Sequence, residues 1–506
     1  MSHFNLIDEP WIPVRFPDGK RTELGIRDTL LRAYAIADIE DPSPLVVAAL
    51  HRFLLALLYR ALEGPTDIDQ AKVLFRDGLP QEKVSAYLDA WRDRFWLFDE
   101  TYPFGQVPSF EPKYWRAWTA LAAEHNADNA KVLFDHIPVE AAGSITPAVA
   151  TRWMLATQTF SVSCGRSELS HTGTSPSATA AMVVPVGHCL QDTLLLSLVP
   201  QDREVIAADQ PLWEQLPESV ARLKASFQRH CTGLADRYTW RIRAIRFEAN
   251  PQNRISRLAL ASGVGCRSLD DVDPMLAYRM DDKKGRRPLQ VRDRGIWRDF
   301  DSLLPDSTCL APQVMTHTAR LTAMDHTRFP RAIVVLGQAN NKAKIEFWRM
   351  ERFTLPRALV GERSIRAEIH DLLAEAETTQ AALWTACSFF ARNLLGRGER
   401  TPDKKEIRTV IEHMAVIPLY WSLLEAAFHK LLRDFTPERS VEEIRLIWFR
   451  SLRDAFQAAW NHQRATVSSG NAWAIRALIK AEKPIGVKLK ELTEEIRNLT
   501  PQQEEI

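Results

Sequence analysis

The chain has 506 residues, 45% hydrophobic and 25% charged, and its 65 basic residues nearly balance 64 acidic ones, leaving a net charge of +1. That length exceeds what one hydrophobic core organises, so two or more domains are expected. The near-neutral balance excludes a polycationic coat, and any nucleic-acid binding must come from local patches.

The six cysteines, at 164, 189, 231, 266, 309 and 387, show no CxxC pair and no zinc-type Cys/His spacing. They read as isolated reduced thiols in a cytoplasmic protein, with no metal site and no cofactor. The start, Met1-Ser-His-Phe-Asn-Leu-Ile-Asp, lacks the charged and apolar regions of a signal peptide. Leu45 to Leu62 is the most apolar window, but it holds His51, Arg52 and Arg60, so a buried helix is expected rather than a membrane span.

In chain order, Phe4 to Lys20 reads as two short strands with a turn at Pro17-Asp18-Gly19. Pro44 to Leu62 is a long apolar helix between Asp41-Pro42-Ser43 and Gly64-Pro65. Glu82 to Trp96 is a second helix, with Val84, Tyr87, Leu88, Trp91 and Phe95 on one stripe, and it runs into an aromatic plug over Arg94 to Pro108. Residues 124 to 136 begin polar and end on Asp135-His136, a pair without further ligands at diagnostic spacing. Ala141 to Phe160 reads as a helix, followed by a small-residue loop from Ser161 to Ser177 and an apolar segment from Met182. Small residues let a backbone approach a partner closely, a DNA minor groove included. An enzyme reading of the same loop pairs Cys164 as nucleophile with His171 or His188, although no orienting acid is visible.

From Thr239 the chain turns strand-rich. Tyr238 to Phe247 alternates basic and apolar residues, and Arg254 to Leu260 does so less strictly, as half-buried strands with one wet basic face would. Between Arg279 and Arg298 eight basic residues stand against three acidic ones, on an apparent hairpin with Lys283-Lys284-Gly285 at its turn. A charge run is ordinarily a solvated face, yet this geometry also suits phosphate or minor-groove contact. A second hairpin spans 332 to 356, with strands Ile333 to Leu336 and Ile345 to Met350 around a polar tip from Gly337 to Lys344. Its Asn340, Asn341 and Lys342 are suited to phosphates and base edges, against the plainer reading of a solvated turn. Beyond Ser364, apolar positions recur at helical spacing over Ile365 to Leu395, Asp403 to Phe435, Val441 to Arg464 and Asn471 to Glu482 with the following tail. The expected fold class is α+β: a mixed α/β N-terminal domain with short sheets and hairpins over 1–363, then a C-terminal four-helix bundle over 364–506.

Several of these segments, agreeing in order and spacing, carry a resemblance. Asn5-Leu6-Ile7-Asp8-Glu9-Pro10-Trp11-Ile12-Pro13-Val14, the plug from Arg94 to Pro108, Leu234 to Arg279 and Ile417 to Glu425 resemble the CasA family, the large subunit of the type I-E CRISPR surveillance complex (Cascade). The resemblance implies binding rather than catalysis: recognising the PAM on duplex DNA, helping to open the duplex for guide RNA, and presenting a surface to the helicase-nuclease. It implies as partners the other Cascade subunits, CRISPR RNA, target DNA with its PAM and the helicase-nuclease, with no membrane. By the same resemblance Asn126, Asn129 and Lys131 lie on a DNA-facing loop, and Ser163, Cys164, Gly165 and Arg166 hold the place of a Gly-rich PAM-contacting loop. Only Gly165 and Gly173 remain there as glycines. The family's PAM-contacting lysine maps onto Lys283 or Lys284, and its strand-separating wedge onto the second hairpin. Lys342 stands where the family often has glutamine, which leaves Asn341 or Lys342 as the inserted group. Two alternatives from other classes are a hydrolase using Cys164 or Asp135/His136, and a purely structural subunit whose basic patches offset acidic neighbours.

Overall fold

The structure is a computed structural model that describes residues 4–122, 125, 138–162, 168–169, 173–268, 271–281, 283, 285–305, 311–323, 325–341, 344–357, 359, 363–436 and 438–500. The strands, in order, are β1 (Ile12–Arg15), β2 (Arg21–Leu24), β3 (Asp38–Ile39), β4 (Arg116–Ala117), β5 (Met182–Val186), β6 (Gln228–Arg229), β7 (Arg243–Ala249), β8 (Ile255–Ser262), β9 (Gly265–Cys266), β10 (Tyr278–Asp281), β11 (Gly285–Pro288), β12 (Ala332–Asn341) and β13 (Lys344–Thr354). The helices that position them are α1 (Pro44–Leu62), α2 (Pro147–Phe160), α3 (Leu190–Ser197), α4 (Leu234–Tyr238) and α5 (Gln313–Thr322); α6 (Arg363–Gly396), α7 (Lys404–Glu412), α8 (Val416–Asp434), α9 (Val441–Thr466) and α10 (Ala472–Leu499) follow. Two compact units result, Met1–Arg294 with Pro305–Phe353, and Gly295–Leu304 with Thr354–Ile506.

The first unit is built around α1. Pro44 at the first helical position fits because its missing N–H would have no partner there, and Glu63 closes the end in the left-handed conformation. The helix is long and apolar enough to cross a bilayer by length and composition, but it is buried along nearly its whole length as a core helix. Phe53 on α1 meets Trp11, Phe104 and Trp213 edge-on at 5.7, 6.0 and 5.7 Å, and Phe95 stacks on Phe104 at 5.3 Å. The aromatic plug is therefore core, gaining from burial and from edge contacts together.

Two expectations change here. The helix expected from Ala141 starts at Pro147, because Thr146 caps it by accepting from the Val149 N–H at 3.3 Å and Pro147 supplies the first turn. The basic face expected to be wet on Tyr238 to Phe247 is partly inside: Arg241 and Arg243 are 9% and 4% exposed. Arg241 donates to Gln215 Oε1 at 2.9 Å, and Arg243 donates to the Val162 carbonyl at 2.5 Å. These bonds satisfy guanidinium N–H groups that burial takes from water, and Glu218 stands 3.6 Å from Arg241 as its counter-charge.

The short sheets are β2-β1-β3, β4-β8-β7, β6-β9, β10-β11 and β13-β12-β5. In the second unit α6, α8, α9 and α10 pack side by side with the short α7, so a mixed α/β unit and C-terminal helices make up the expected α+β class. Capping boxes start α7 at Asp403 and α9 at Ser440. The single helix expected over Asp403 to Phe435 is two, α7 and α8. Pro418 explains the break: it has no N–H to donate back to residue 414 and its ring would clash with that carbonyl, so it is tolerated only in a first turn. Trp448 is fully buried, its indole N–H donating to the Leu372 carbonyl at 2.8 Å. The segment Gly295–Leu304 joins this unit through Arg298, which grips Glu377 at 2.7 Å and lies 3.6 Å over the Trp421 ring.

Candidate nucleic-acid interface

The N-terminal end of β5 is where the candidate segments meet. On one edge β12 pairs antiparallel, Leu336 opposite Met182. On the other, Met182 bridges Leu276 and Ala180 bridges Gln290. The Ala181 N–H donates to the Leu289 carbonyl at 2.7 Å, its own carbonyl accepts from the Ala277 N–H at 3.3 Å, and the Val183 N–H donates to the Met275 carbonyl at 2.7 Å. Residues 275–277 and 289–290 flank β10 and β11, so the segment just after the small-residue loop, the root of the basic hairpin and β12 share one backbone patch. Gly337 is required at this junction. A Cβ there would stand 2.6 Å from Val291 Cγ2 and 2.7 Å from the Ala180 carbonyl oxygen, closer than any side chain tolerates without backbone movement.

Beneath the basic hairpin lies a buried ionic clamp. Asp273, 0% exposed, accepts at Oδ2 from Arg52 of α1 at 2.7 Å and from Arg237 of α4 at 3.3 Å. Its Oδ1 accepts from the Met275 N–H at 3.1 Å, and its own N–H donates to the phenol oxygen of Tyr278, the first residue of β10, at 2.7 Å. The Arg52 guanidinium also sits 4.0 Å over the Tyr238 ring. Burial alone would push the Asp273 carboxyl up, but the two guanidiniums outweigh it and hold the group below the usual carboxylate range. The hairpin is thereby fixed at its root while its far end is left to solvent.

At that end Asp281 stands opposite Gly285. Gly285 has φ +69°, the left-handed region that glycine adopts without a side-chain penalty. Lys283 is exposed, and its N–H donates to Asp281 Oδ1 at 2.9 Å. Arg279 and Arg287 face each other across the ribbon, and Arg286 pairs with Met280 on the other face. Arg279, Arg286 and Arg287 thus gather three guanidiniums on one short two-stranded ribbon.

The second hairpin differs from expectation. Polar composition puts its tip from Gly337, but β12 continues to Asn341 and β13 begins at Lys344. Gln338 lies fully buried, donating to the Phe160 carbonyl at 2.5 Å, so strand pairing and core contacts extend further than that composition indicates. Asn340 is half-buried at the end of β12.

Of the residues singled out by sequence, the structure places Lys283 at the tip of one hairpin and Asn340 and Asn341 at the end of the other strand. Lys284, Lys342, Ser163, Cys164, Gly165, Arg166, Asn126, Asn129 and Lys131 lie outside the described residues, as do Asp135, His136 and His171. The flanks of these segments are described. The Ser175 N–H donates to the Ser161 carbonyl at 2.8 Å, joining the two ends of the small-residue loop, and Arg243 Nε donates to Ser161 Oγ at 3.2 Å. The segment 123–137 is bracketed by the Trp118 indole N–H donating to the Ala142 carbonyl at 2.9 Å, and by Thr157 of α2 donating to the Leu121 carbonyl at 2.8 Å. His188 is exposed. Among the described residues no group of His, Cys, Asp and Glu is arranged to hold a metal.

Sequence reasoning missed the Asp273 clamp. Its signal was present, because an arginine inside the apolar window of α1 requires a buried acid somewhere.

Residues 5–459 match the family described as CRISPR-associated protein Cse1. CRISPR-associated protein CasA/Cse1 of Thermus thermophilus is 33% identical over 509 residues, 98% of this chain and 99% of its own length. The structure of Thermus thermophilus CasA (Cse1) superposes with a TM-score of 0.85 at 30% identity, covering 97% of this chain and 100% of that one. A chain of a CRISPR RNA-guided surveillance complex shares the fold with a TM-score of 0.74 at 21% identity, covering 97% and 100%. Fold and sequence together define a CRISPR-associated protein. The chain belongs to the Cse1 family.

Proposed function

We propose that this chain is the large, non-catalytic subunit of a type I-E CRISPR RNA-guided surveillance complex, working in the cytoplasm with the other Cascade subunits and CRISPR RNA. In this reading it recognises the PAM on duplex DNA, helps to start strand separation and R-loop formation, and helps to recruit the helicase-nuclease. The observation that carries it is the meeting, at Ala180 to Met182, of the segment that follows the small-residue loop, the root of the basic hairpin and β12. Three segments chosen for phosphate, groove and base contact leave one backbone patch, which is what a protein gripping a duplex at one step requires. Membership of the Cse1 family and the fold shared with a surveillance-complex chain support the same reading.

Within it, Lys283 with Lys284 contacts the backbone or groove beside the PAM, and Lys342 or Asn341 enters the duplex. Separating a stacked step costs a few kcal/mol, which lysine contacts to phosphate would partly offset. The test is duplex binding by the reconstituted complex at two salt concentrations. Lys283→Ala/Lys284→Ala is expected to weaken binding and to lower the salt slope by about one for each phosphate no longer neutralised. Lys342→Ala is expected to slow duplex opening more than binding. If every variant matches the parent at both salt concentrations, the hairpins are solvated surface and these roles are wrong.

A further inference from the structure

Cys231 and Cys266, unrelated in sequence pattern, stand with their sulfurs 3.7 Å apart. The parallel pairing of β6 with β9, which sets Arg229 opposite Cys266, brings them together. Cys231 follows β6 and donates its N–H to Ser268 Oγ at 2.9 Å, while Cys266 lies within β9. Both are partly exposed, within reach of a small reagent, and they pack against the apolar cluster of Trp240, Ile242 and Val264.

We propose that Cys231 and Cys266 form a reversible oxidation site, in which a low-molecular-weight disulfide converts the dithiol to an intramolecular disulfide. A disulfide needs sulfurs about 2 Å apart, so side-chain rotation has a short distance to close. The two sulfurs have distinct roles. The two thiols share a hydrogen bond that, with the Ser268 N–H and the Arg237 guanidinium, holds the Cys266 thiol below the usual cysteine range against burial. That hydrogen bond, with burial, pushes Cys231 up. Cys266, beside the Ser268 N–H and the Arg237 guanidinium, is assigned the attacking role. It displaces one thiolate from the small disulfide to give a mixed disulfide; Cys231 then loses its proton, attacks the Cys266 sulfur and releases the second. Two protein thiols are oxidised and one small disulfide is reduced to two thiols. The new bond would enclose α4, β7 and β8, and Ser268 connects it to the hairpin clamp, because its carbonyl accepts from Arg237 at 2.7 Å.

The experiment treats the native full-length protein with oxidised glutathione, quenches it, and counts thiols after denaturation. A loss of two of the six thiols is expected, with a peptide linking Cys231 to Cys266, a rise in Tm of several degrees from the closed loop, and reversal by dithiothreitol. Cys231→Ser is expected to stop at glutathione on Cys266, whereas Cys266→Ser gives no cross-link and a slower reaction at Cys231. Six titratable thiols after treatment, or a cross-link between other cysteines, would each overturn the proposal.

Discussion

The two hairpins of the first unit share an attachment and differ in everything beyond it. The β12–β13 hairpin is part of a three-stranded sheet with β5, and β12 is buried from Ala332 to Ala339. The β10–β11 hairpin is a sheet of two strands, with Arg286, Arg287 and Met280 exposed, the last by 68%. An isolated two-stranded ribbon is marginal in water, so this one depends on the bonds at its root. One hairpin is core with a polar end, the other a charged arm on a buried ionic anchor. For binding, the first can transmit force into the fold, while the second can offer charge without disturbing it.

The sharpest way to break this contrast is to cut the anchor. Asp273→Asn leaves the Arg52 and Arg237 guanidiniums buried without their anion, and a loss of about 3–5 kcal/mol is expected. Denaturant unfolding measures it, and hydrogen exchange is expected to rise over 278–288 more than over 332–341. A loss below about 1 kcal/mol would mean that backbone bonds alone hold the arm. The sign with pH follows from the depressed carboxyl: the contribution is complete at neutral pH and disappears only as pH falls through its low folded value.

A second pH effect falls in a separate window. His317 of α5, the helix whose Val314 N–H donates to the Pro274 carbonyl at 3.1 Å, is pushed by burial to about 4. Between pH 6.5 and 4 the unfolded chain binds a proton that the folded one does not, so stability falls with pH across that range, by up to about 3 kcal/mol. Comparing the parent with His317→Gln from pH 7 to 4 tests this; parallel curves would count against a neutral buried imidazole.

How much of this was legible depends on range. The β-branched run from Ile333 and the Lys283-Lys284-Gly285 turn are local signals, and both hairpins were readable from them. Arg241 and Arg243 misled, because alternation reports which side chains share a face and says nothing of a buried carbonyl or amide waiting for a guanidinium. The apolar period over Asp403 to Phe435 runs straight through Pro418, so periodicity alone hides the start of α8. The junction at Ala180 to Met182, the Asp273 clamp and the Cys231–Cys266 contact join residues far apart in the chain, and only the fold shows them.

Gly337→Ala tests the core hairpin. Its methyl would meet the Ala180 carbonyl oxygen and Val291 Cγ2, and a loss of about 1–3 kcal/mol is expected from the overpacking. Because the contact lies on the shared patch, exchange should rise at both hairpin roots. A rise at β12 alone would mean that the two attachments are independent.

The smallest effect belongs to the arm's own turn. Gly285 sits at φ +69° with open space around its Cβ position, so Gly285→Ala introduces backbone strain and no clash. A residue with a side chain pays roughly 1 kcal/mol in that conformation. On a ribbon this marginal, that strain is expected to open the turn locally and raise exchange at Lys283 and Arg286, while the melting of the unit as a whole hardly moves. In the assembled complex the same variant should weaken duplex binding less than Lys283→Ala/Lys284→Ala does, because the charges stay and only their presentation is loosened. Equal or greater weakening would mean that the shape of the turn, rather than its charge, is what the duplex meets.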